Sequence, residues 1–224
     1  MSVAREISID VPEVASVSGL LLRPARATSL LVLGHGAGAG MRHVFMETTA
    51  QALAEHGVAT LRYQFPYMEI GRRAPDRPPK LVTTVWAACE IAGDVAGDLP
   101  LLAGGKSMGG RMTSTAAAQR TLPGVRGLVF FGFPLHGIGK PPSAARGLHL
   151  AEVGLPMLFL QGTRDKLADL DFLRPLLAGI EPAPVLHVID DADHGFHVPK
   201  RSGRTDDEVI EELASVATDF SGTL

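Results

Sequence analysis

From residue 28 onward the chain alternates short apolar runs with helical patterns, and this rhythm leaves few architectures open. Leu30-Leu31-Val32-Leu33 is apolar without a break, as suits a central strand covered on both faces. Similar strand-like runs recur at 58–65, 99–104, 125–131, 156–160 and 185–189. Between and after them, helical spacing of apolar residues predicts helices at about 43–56, 81–95, 108–120, 167–179 and 205–219. Strand–helix–strand repetition forces right-handed crossovers, hence a mostly parallel central sheet with helices on both faces. Ligands on such sheets bind at the carboxyl ends of the strands. Ahead of this unit, residues 3–22 alternate apolar and polar positions around Pro12-Glu13, which predicts an N-terminal antiparallel hairpin.

Two proline-rich stretches interrupt the rhythm, 66–80 (Pro66, Pro75, Pro78, Pro79) and 132–152 (Pro134, Pro141, Pro142). Each follows a strand, so both are expected on the binding edge, as short cap-like loops at about 64–80 and 132–152. With 224 residues and no interdomain linker, one domain spanning 1–224 is expected. An apolar content of 46% argues against disorder. The 21 basic and 24 acidic residues nearly balance and form no long basic run, so no nucleic-acid partner is expected. Cys89 is the single cysteine, which excludes an intramolecular disulfide and a cysteine-based zinc site. MSVAREISID lacks the apolar core and cleavage site of a secretory signal, and no apolar run suits a membrane helix. The expected location is cytoplasmic, with no membrane partner.

The strongest chemical signal is Gly105-Lys106-Ser107-Met108-Gly109, placed where a predicted strand hands over to a predicted helix. That is the G-x-S-x-G nucleophile elbow in its required context. A sharp turn there exposes the serine Oγ, side chains at the flanking glycines would clash, and the helix start offers free N–H groups to an oxyanion. Two rival readings of the glycines fail. A phosphate loop ending in Gly105-Lys106-Ser107 would need glycine where Pro100 stands. Gly34-His35-Gly36-Ala37-Gly38-Ala39 fits a relaxed dinucleotide pattern, but the next strand, Thr60 to Phe65, ends without a ribose-binding acid. The segment instead resembles the histidine-glycine oxyanion loop of esterases, with the N–H groups of Ala37 and Met108 as the two donors. His35 is read as a structural support of that loop.

A serine needs a base, and the base an orienting acid, in the chain order Ser, Asp or Glu, His. Asp165 follows the strand at 156–160, and His194 follows the last strand in Asp193-His194-Gly195-Phe196. These give Ser107 as nucleophile, His194 as general base and Asp165 as orienting acid. Asp165 could also be a helix N-cap, and Asp191 or Asp193 are the alternative acids. Asp190, Asp191 and Asp193 otherwise read as turn residues. His197 is the competing base. His43, His56, His149 and His187 have no motif around them and read as structural or solvated. Phe65, Tyr67, Met68, Phe133, Leu135, His136 and Phe196 are candidates for a substrate pocket, core packing being the competing role for the apolar ones. Arg72, Arg73 and Arg77 could meet an anionic substrate or simply face solvent. Cys89 is read as buried packing near Val85 and Trp86.

These motifs together resemble the α/β-hydrolase superfamily, in particular its small dienelactone-hydrolase-like members. Phe65-Pro66-Tyr67 and Gly132-Phe133-Pro134-Leu135-His136 resemble the testis-expressed and NSL-complex-subunit hydrolase group and its bacterial relatives. The resemblance covers nearly the whole chain. It implies the α/β-hydrolase fold and a serine hydrolase cleaving an ester or related acyl bond of a small molecule, with no metal or organic cofactor. Dienelactone hydrolase itself uses cysteine, where Ser107 stands here. Two other readings stay open: a silent binding or scaffold protein with this fold, for which a protein partner is conceivable but unsupported, and an acyltransferase or peptidase using the same triad.

Overall fold

The computed structural model describes residues 3–224. Met1 and Ser2, part of the expected domain, lie outside the described residues. Eight strands form one sheet in the order β1-β2-β4-β3-β5-β6-β7-β8. β1 (Arg5–Val11) and β2 (Ala15–Leu22) make the expected antiparallel hairpin, and β2 also runs antiparallel to β4 (Val58–Tyr63). Every later neighbour is parallel: β3 (Ser29–Gly34), β5 (Leu101–Lys106), β6 (Val125–Phe131), β7 (Met157–Gly162) and β8 (Val185–Ile189). The architecture is thus the expected one, a mostly parallel sheet with helices around it.

The central strands are apolar on both faces, and their two-residue period divides the core in two. Leu30, Val32, Leu128, Phe130 and Phe159 face α3 (Pro78–Ala96) and α4 (Met108–Gln119). Leu31, Leu33, Val129, Phe131, Leu158 and Leu160 face α1 (Val44–Glu55) and α6 (Asp206–Ser221). Each such side chain stabilises by about 1.5–3 kcal/mol when fully buried. Against a core of this kind, a few kcal/mol of local strain at the carboxyl edge is tolerable.

Three expectations about local structure are corrected. The stretch 66–80 is not simply a surface loop: Phe65 to Tyr67 are buried, a short helix α2 spans Pro66–Glu69, and α3 begins at Pro78 rather than 81. Proline has no N–H to leave unpaired and a preset φ, so at the first helical positions it starts helices instead of breaking them. The stretch 132–152 is likewise part ordered, with a 3-10 segment at Ala145–Glu152. Helix α5 (Leu170–Leu177) starts later than expected, and its N-cap is Asp169, whose side chain accepts from the Asp171 N–H, not Asp165.

Candidate active site

Register places the chemistry. Gly34 of β3 pairs with Gly105 of β5, and Lys106 pairs with Phe131 of β6, so Ser107 emerges between two strands at the carboxyl edge. Ser107 has φ 52° and ψ −113°, a left-handed conformation that costs a non-glycine residue about 1–3 kcal/mol. It is held there by its N–H donating to Phe131 O (3.1 Å) and its carbonyl accepting from Arg111 N (3.0 Å). The flanking glycines are steric requirements. A Cβ on Gly105 would lie 2.4 Å from Gly34 O, and one on Gly109 would lie 2.2 Å from the same oxygen. The turn is thus wedged against the end of β3 as well as against itself.

Asp165 follows β7 and His194 follows β8, and both side chains converge on Ser107. His194 Nε2 is 2.8 Å from Ser107 Oγ, and Nδ1 is 2.7 Å from Asp165 Oδ2. An ionised carboxylate only accepts, so Nδ1 carries the proton and Nε2 is left to accept from the serine hydroxyl. The Asp165 side chain is 1% exposed and the His194 side chain 26%. Gln161, wholly buried on β7, donates to Asp165 Oδ2 (2.5 Å) and accepts from Phe133 N (3.0 Å). Leu167 N–H donates to Asp165 Oδ1 (2.8 Å), closing a tight turn. Both carboxylate oxygens are therefore occupied, and the group is locked in one orientation. Asp193 builds the histidine loop instead, its Oδ1 accepting from Gly195 N (2.7 Å) and His197 N (3.1 Å). His197 itself is exposed and pairs with Asp206 (2.9 Å), which raises its pKa through hydrogen bonding and charge.

The loop after β3 is held from below. His35 Nε2 accepts from Phe65 N–H (3.1 Å), which leaves Nδ1–H to donate to Gly36 O (2.8 Å). Gly38 N–H donates to Tyr67 Oη (3.1 Å), while Gln64 Oε1 and Arg62 Nη1 hold the N–H and carbonyl of Met41 (2.8 and 3.2 Å). Among the described residues, Ala37 N–H and Met108 N–H enter no loop or cap hydrogen bond. Met108 opens α4, where first-turn N–H groups have no intrahelical acceptor.

Burial pulls the His35 pKa from 6.5 down to about 4, so the imidazole is neutral in the fold. The unfolded chain then binds more protons between those two values. Stability is fully present above pH 6.5 and declines as pH falls toward 4, by on the order of 3 kcal/mol from this group. Thermal melts from pH 7 to 4 should show this slope, and His35→Gln should flatten it while lowering stability throughout.

A cleft of about 260 Å³ adjoins Ser107, lined by Ala37, Phe45, Met46, Ile138, Leu167 and His194 among others. A larger, more polar basin of about 830 Å³ lies on the Asp165 side of His194 and is bordered by His136, Thr163, Arg164, Lys166 and Asp169. Of the expected pocket residues, only His136 lines either space, and it lines the basin. Phe65, Tyr67, Phe133 and Leu135 are fully buried core, and Phe196 is 1% exposed against Phe45. Their rings pack on one another and on His35: Phe65 lies 4.9 Å from His35, and Phe133 lies 5.3 Å from Phe130 and 5.6 Å from Phe159. Met68 is half-buried beside Gly40. Besides the loop after β3, the elbow, Leu167 and the histidine loop, the cleft is lined by Phe45 and Met46 at the start of α1 and by Ile138 of the 132–152 loop, which is 88% exposed. Arg72, Arg73 and Arg77 are exposed, Arg72 being paired with Asp76.

A second serine–histidine contact exists, between His149 Nε2 and Ser114 Oγ (2.8 Å). Ser114 is 0% exposed on the inward side of α4, and the charged neighbour acting on His149 is Arg111, not a carboxylate. It lacks both the access and the acid that a nucleophile–base pair requires. His56 and His187 pair with Glu211 and Glu212 of α6, and His43 caps α1 through Phe45 N. Cys89 is buried. Among the described residues no three His, Cys, Asp or Glu side chains converge as metal ligands would, and no helix is long and apolar enough to cross a membrane.

The chain belongs to the alpha/beta hydrolase domain family, whose sequence profile matches residues 27–222. Solved structures of similar fold include a dienelactone hydrolase from Anabaena variabilis (TM-score 0.77, 22% identity, covering 97% of this chain and 96% of that one). An α/β serine hydrolase described as lacking a lid, from Xanthomonas campestris, superposes with TM-score 0.74 at 20% identity over 95% and 93% of the two chains. Est1E from Butyrivibrio proteoclasticus, solved with ferulic acid bound, gives TM-score 0.72 at 16% identity over 92% and 97%. At these identities the shared property is the fold.

Proposed function

We propose that the protein is a serine hydrolase that cleaves an ester or related acyl bond of a small substrate. The observation that carries this reading is the continuous relay Asp165 Oδ2–His194 Nδ1, His194 Nε2–Ser107 Oγ, at 2.7 and 2.8 Å, ending on a strained serine beside an open cleft. Ser107 Oγ attacks the carbonyl carbon as His194 Nε2 takes its proton. The N–H groups of Ala37 and Met108 hold the tetrahedral oxyanion, a contribution of about 2.7–4 kcal/mol per donor. Collapse breaks the bond to the leaving oxygen, which receives the proton from the imidazolium, and an acyl-Ser107 ester remains. Water, deprotonated by His194, attacks that ester, and Ser107 leaves reprotonated. Asp165 stays ionised throughout and stabilises the imidazolium. No step needs a metal or organic cofactor.

The 260 Å³ cleft favours a short apolar acyl group, and the polar basin has room for a bulkier polar leaving group. The loop motifs at 65–67 and 132–136 support kinship with the testis-expressed and NSL-complex-subunit hydrolase group, and we treat 1–224 as a single catalytic domain. A panel of acetyl to octanoyl aryl esters tests the reading: turnover should fall off with acyl length, and no turnover of any member would contradict it. Competing alcohols and a peptide series separate hydrolysis from acyl transfer and amide cleavage. Asp165→Asn should lower kcat about 10⁴-fold with little change in KM, because its amide would present a donor to His194 and favour the wrong tautomer. Wild-type rates from this variant would move the orienting acid elsewhere.

A further inference from the structure

Lys106 occupies the variable position of the elbow, yet its surroundings are specific. From the last residue of β5 its Nζ donates to the backbone carbonyl of His194 (2.5 Å). The ammonium also lies 5.5 Å from the ring centroid of Phe45 and 5.3 Å from that of Phe196, two rings that stack on each other. Such cation–π contacts are favourable within about 6 Å. Gly132 leaves the space open: a Cβ there would lie 3.0 Å from Nζ. Among the described residues Lys106 forms no salt bridge. The titratable groups acting on it are Asp165, on the loop after β7, and Asp193, on the loop after β8. Helix α1 offers only the Phe45 ring, and the end of β6 offers Gly132.

We propose that Lys106 is a positioning residue for the histidine of the hydrolase reading above, on which this inference rests: its ammonium pins the His194 peptide and so holds the imidazole between Ser107 and Asp165. The histidine loop is tied at its base by Arg164 N–H to Ala192 O and Asp191 N–H to Thr163 Oγ1, at its far end by Asp206, and internally by Asp193, but among the described residues the partner of the His194 carbonyl itself is Lys106. Small displacements of a catalytic group are costly, about 10²-fold for 1 Å.

Burial lowers the Lys106 pKa from 10.5 to about 8 against the opposing pull of the two carboxylates. The fold therefore opposes the charge. The resulting stability cost is fully present below pH 8 and is relieved as pH rises from 8 toward 10.5. A side chain serving the fold alone would gain by losing its charge, so Lys106→Met should melt at or above the wild-type temperature at pH 7. In the same variant, fluorophosphonate labelling of Ser107 should slow about 10–100-fold. Amide exchange over residues 190–197 should quicken. Wild-type labelling should fall again above about pH 8, whereas Lys106→Arg, whose charge persists, should keep labelling at higher pH.

Wild-type labelling and loop exchange in Lys106→Met overturn the proposal. Slow labelling with unchanged loop exchange overturns it too, since the lysine would then act on the serine directly. If the wild type itself does not label, the hydrolase reading fails, and loop exchange alone decides the pin. If Lys106→Met does not fold, Lys106→Arg decides: loss of the alkaline fall supports the proposal, and its retention overturns it.

Discussion

Ser107→Ala should lower turnover of an activated short-chain ester by about 10⁶-fold, roughly 8 kcal/mol of barrier, with the fold intact. The size follows from the roles. The serine hydroxyl is the atom that forms the new bond, and among the described residues no other hydroxyl shares its environment; Ser114 is buried in α4 without an acid behind its histidine. Intact folding follows from the contacts. The Oγ has one hydrogen bond, to His194, and the elbow is held by the backbone bonds of Ser107 and by Gly105 and Gly109, all of which alanine preserves. A residual rate about 10³–10⁴ above the uncatalysed reaction should persist, because the oxyanion donors are backbone groups that the substitution leaves in place. Circular dichroism and melting curves alongside kcat separate this outcome from misfolding.

His194→Ala should match Ser107→Ala in size, and the double variant should lose little more, since the two residues act as one unit. His197→Ala provides the contrast. Its imidazole is exposed and turned to Asp206, and the contact that binds residue 197 into the histidine loop is its backbone N–H on Asp193 Oδ1, which alanine keeps. Turnover close to wild type is expected. A loss in His197→Ala equal to that in His194→Ala, with both proteins folded, would reverse the assignment of the base. The two histidines are three residues apart, so the comparison isolates direction of the side chain rather than location in the chain.

The fold was legible because its signals are local and redundant. Unbroken apolar runs such as Leu30–Leu33 suit central strands when helical patterns alternate with them, and glycines at both sides of Ser107 mark a turn that no larger residue could make. The convergence of Ser107, Asp165 and His194 was legible through chain order and strand ends, since a parallel sheet brings every strand's carboxyl end to one edge. The pocket was not. Phe65, Phe133 and Phe196 sit next to the motifs in sequence, but ring packing draws them inward, and the cleft is walled by Phe45, Met46 and Ile138, which no motif marks. Gln161 and Lys106 were missed for a related reason. No motif marks either: Gln161 bridges Asp165, four residues on, to the Phe133 N–H at the end of the neighbouring strand, and the Lys106 ammonium meets the carbonyl of His194 far along the chain, pairings that become visible only once the strands are aligned. Prolines misled at 66 and 78, where they begin helices.

A serine hydrolase of this geometry needs Ser107 to be an activated nucleophile. The most direct measurement is intact-mass analysis of the purified protein after exposure to a fluorophosphonate, beside Ser107→Ala treated identically. The wild type should take up a single adduct, mapped by peptide mass to Ser107, and the variant none. A folded wild-type protein that takes up no adduct, or an adduct that persists in Ser107→Ala, would contradict that role for Ser107.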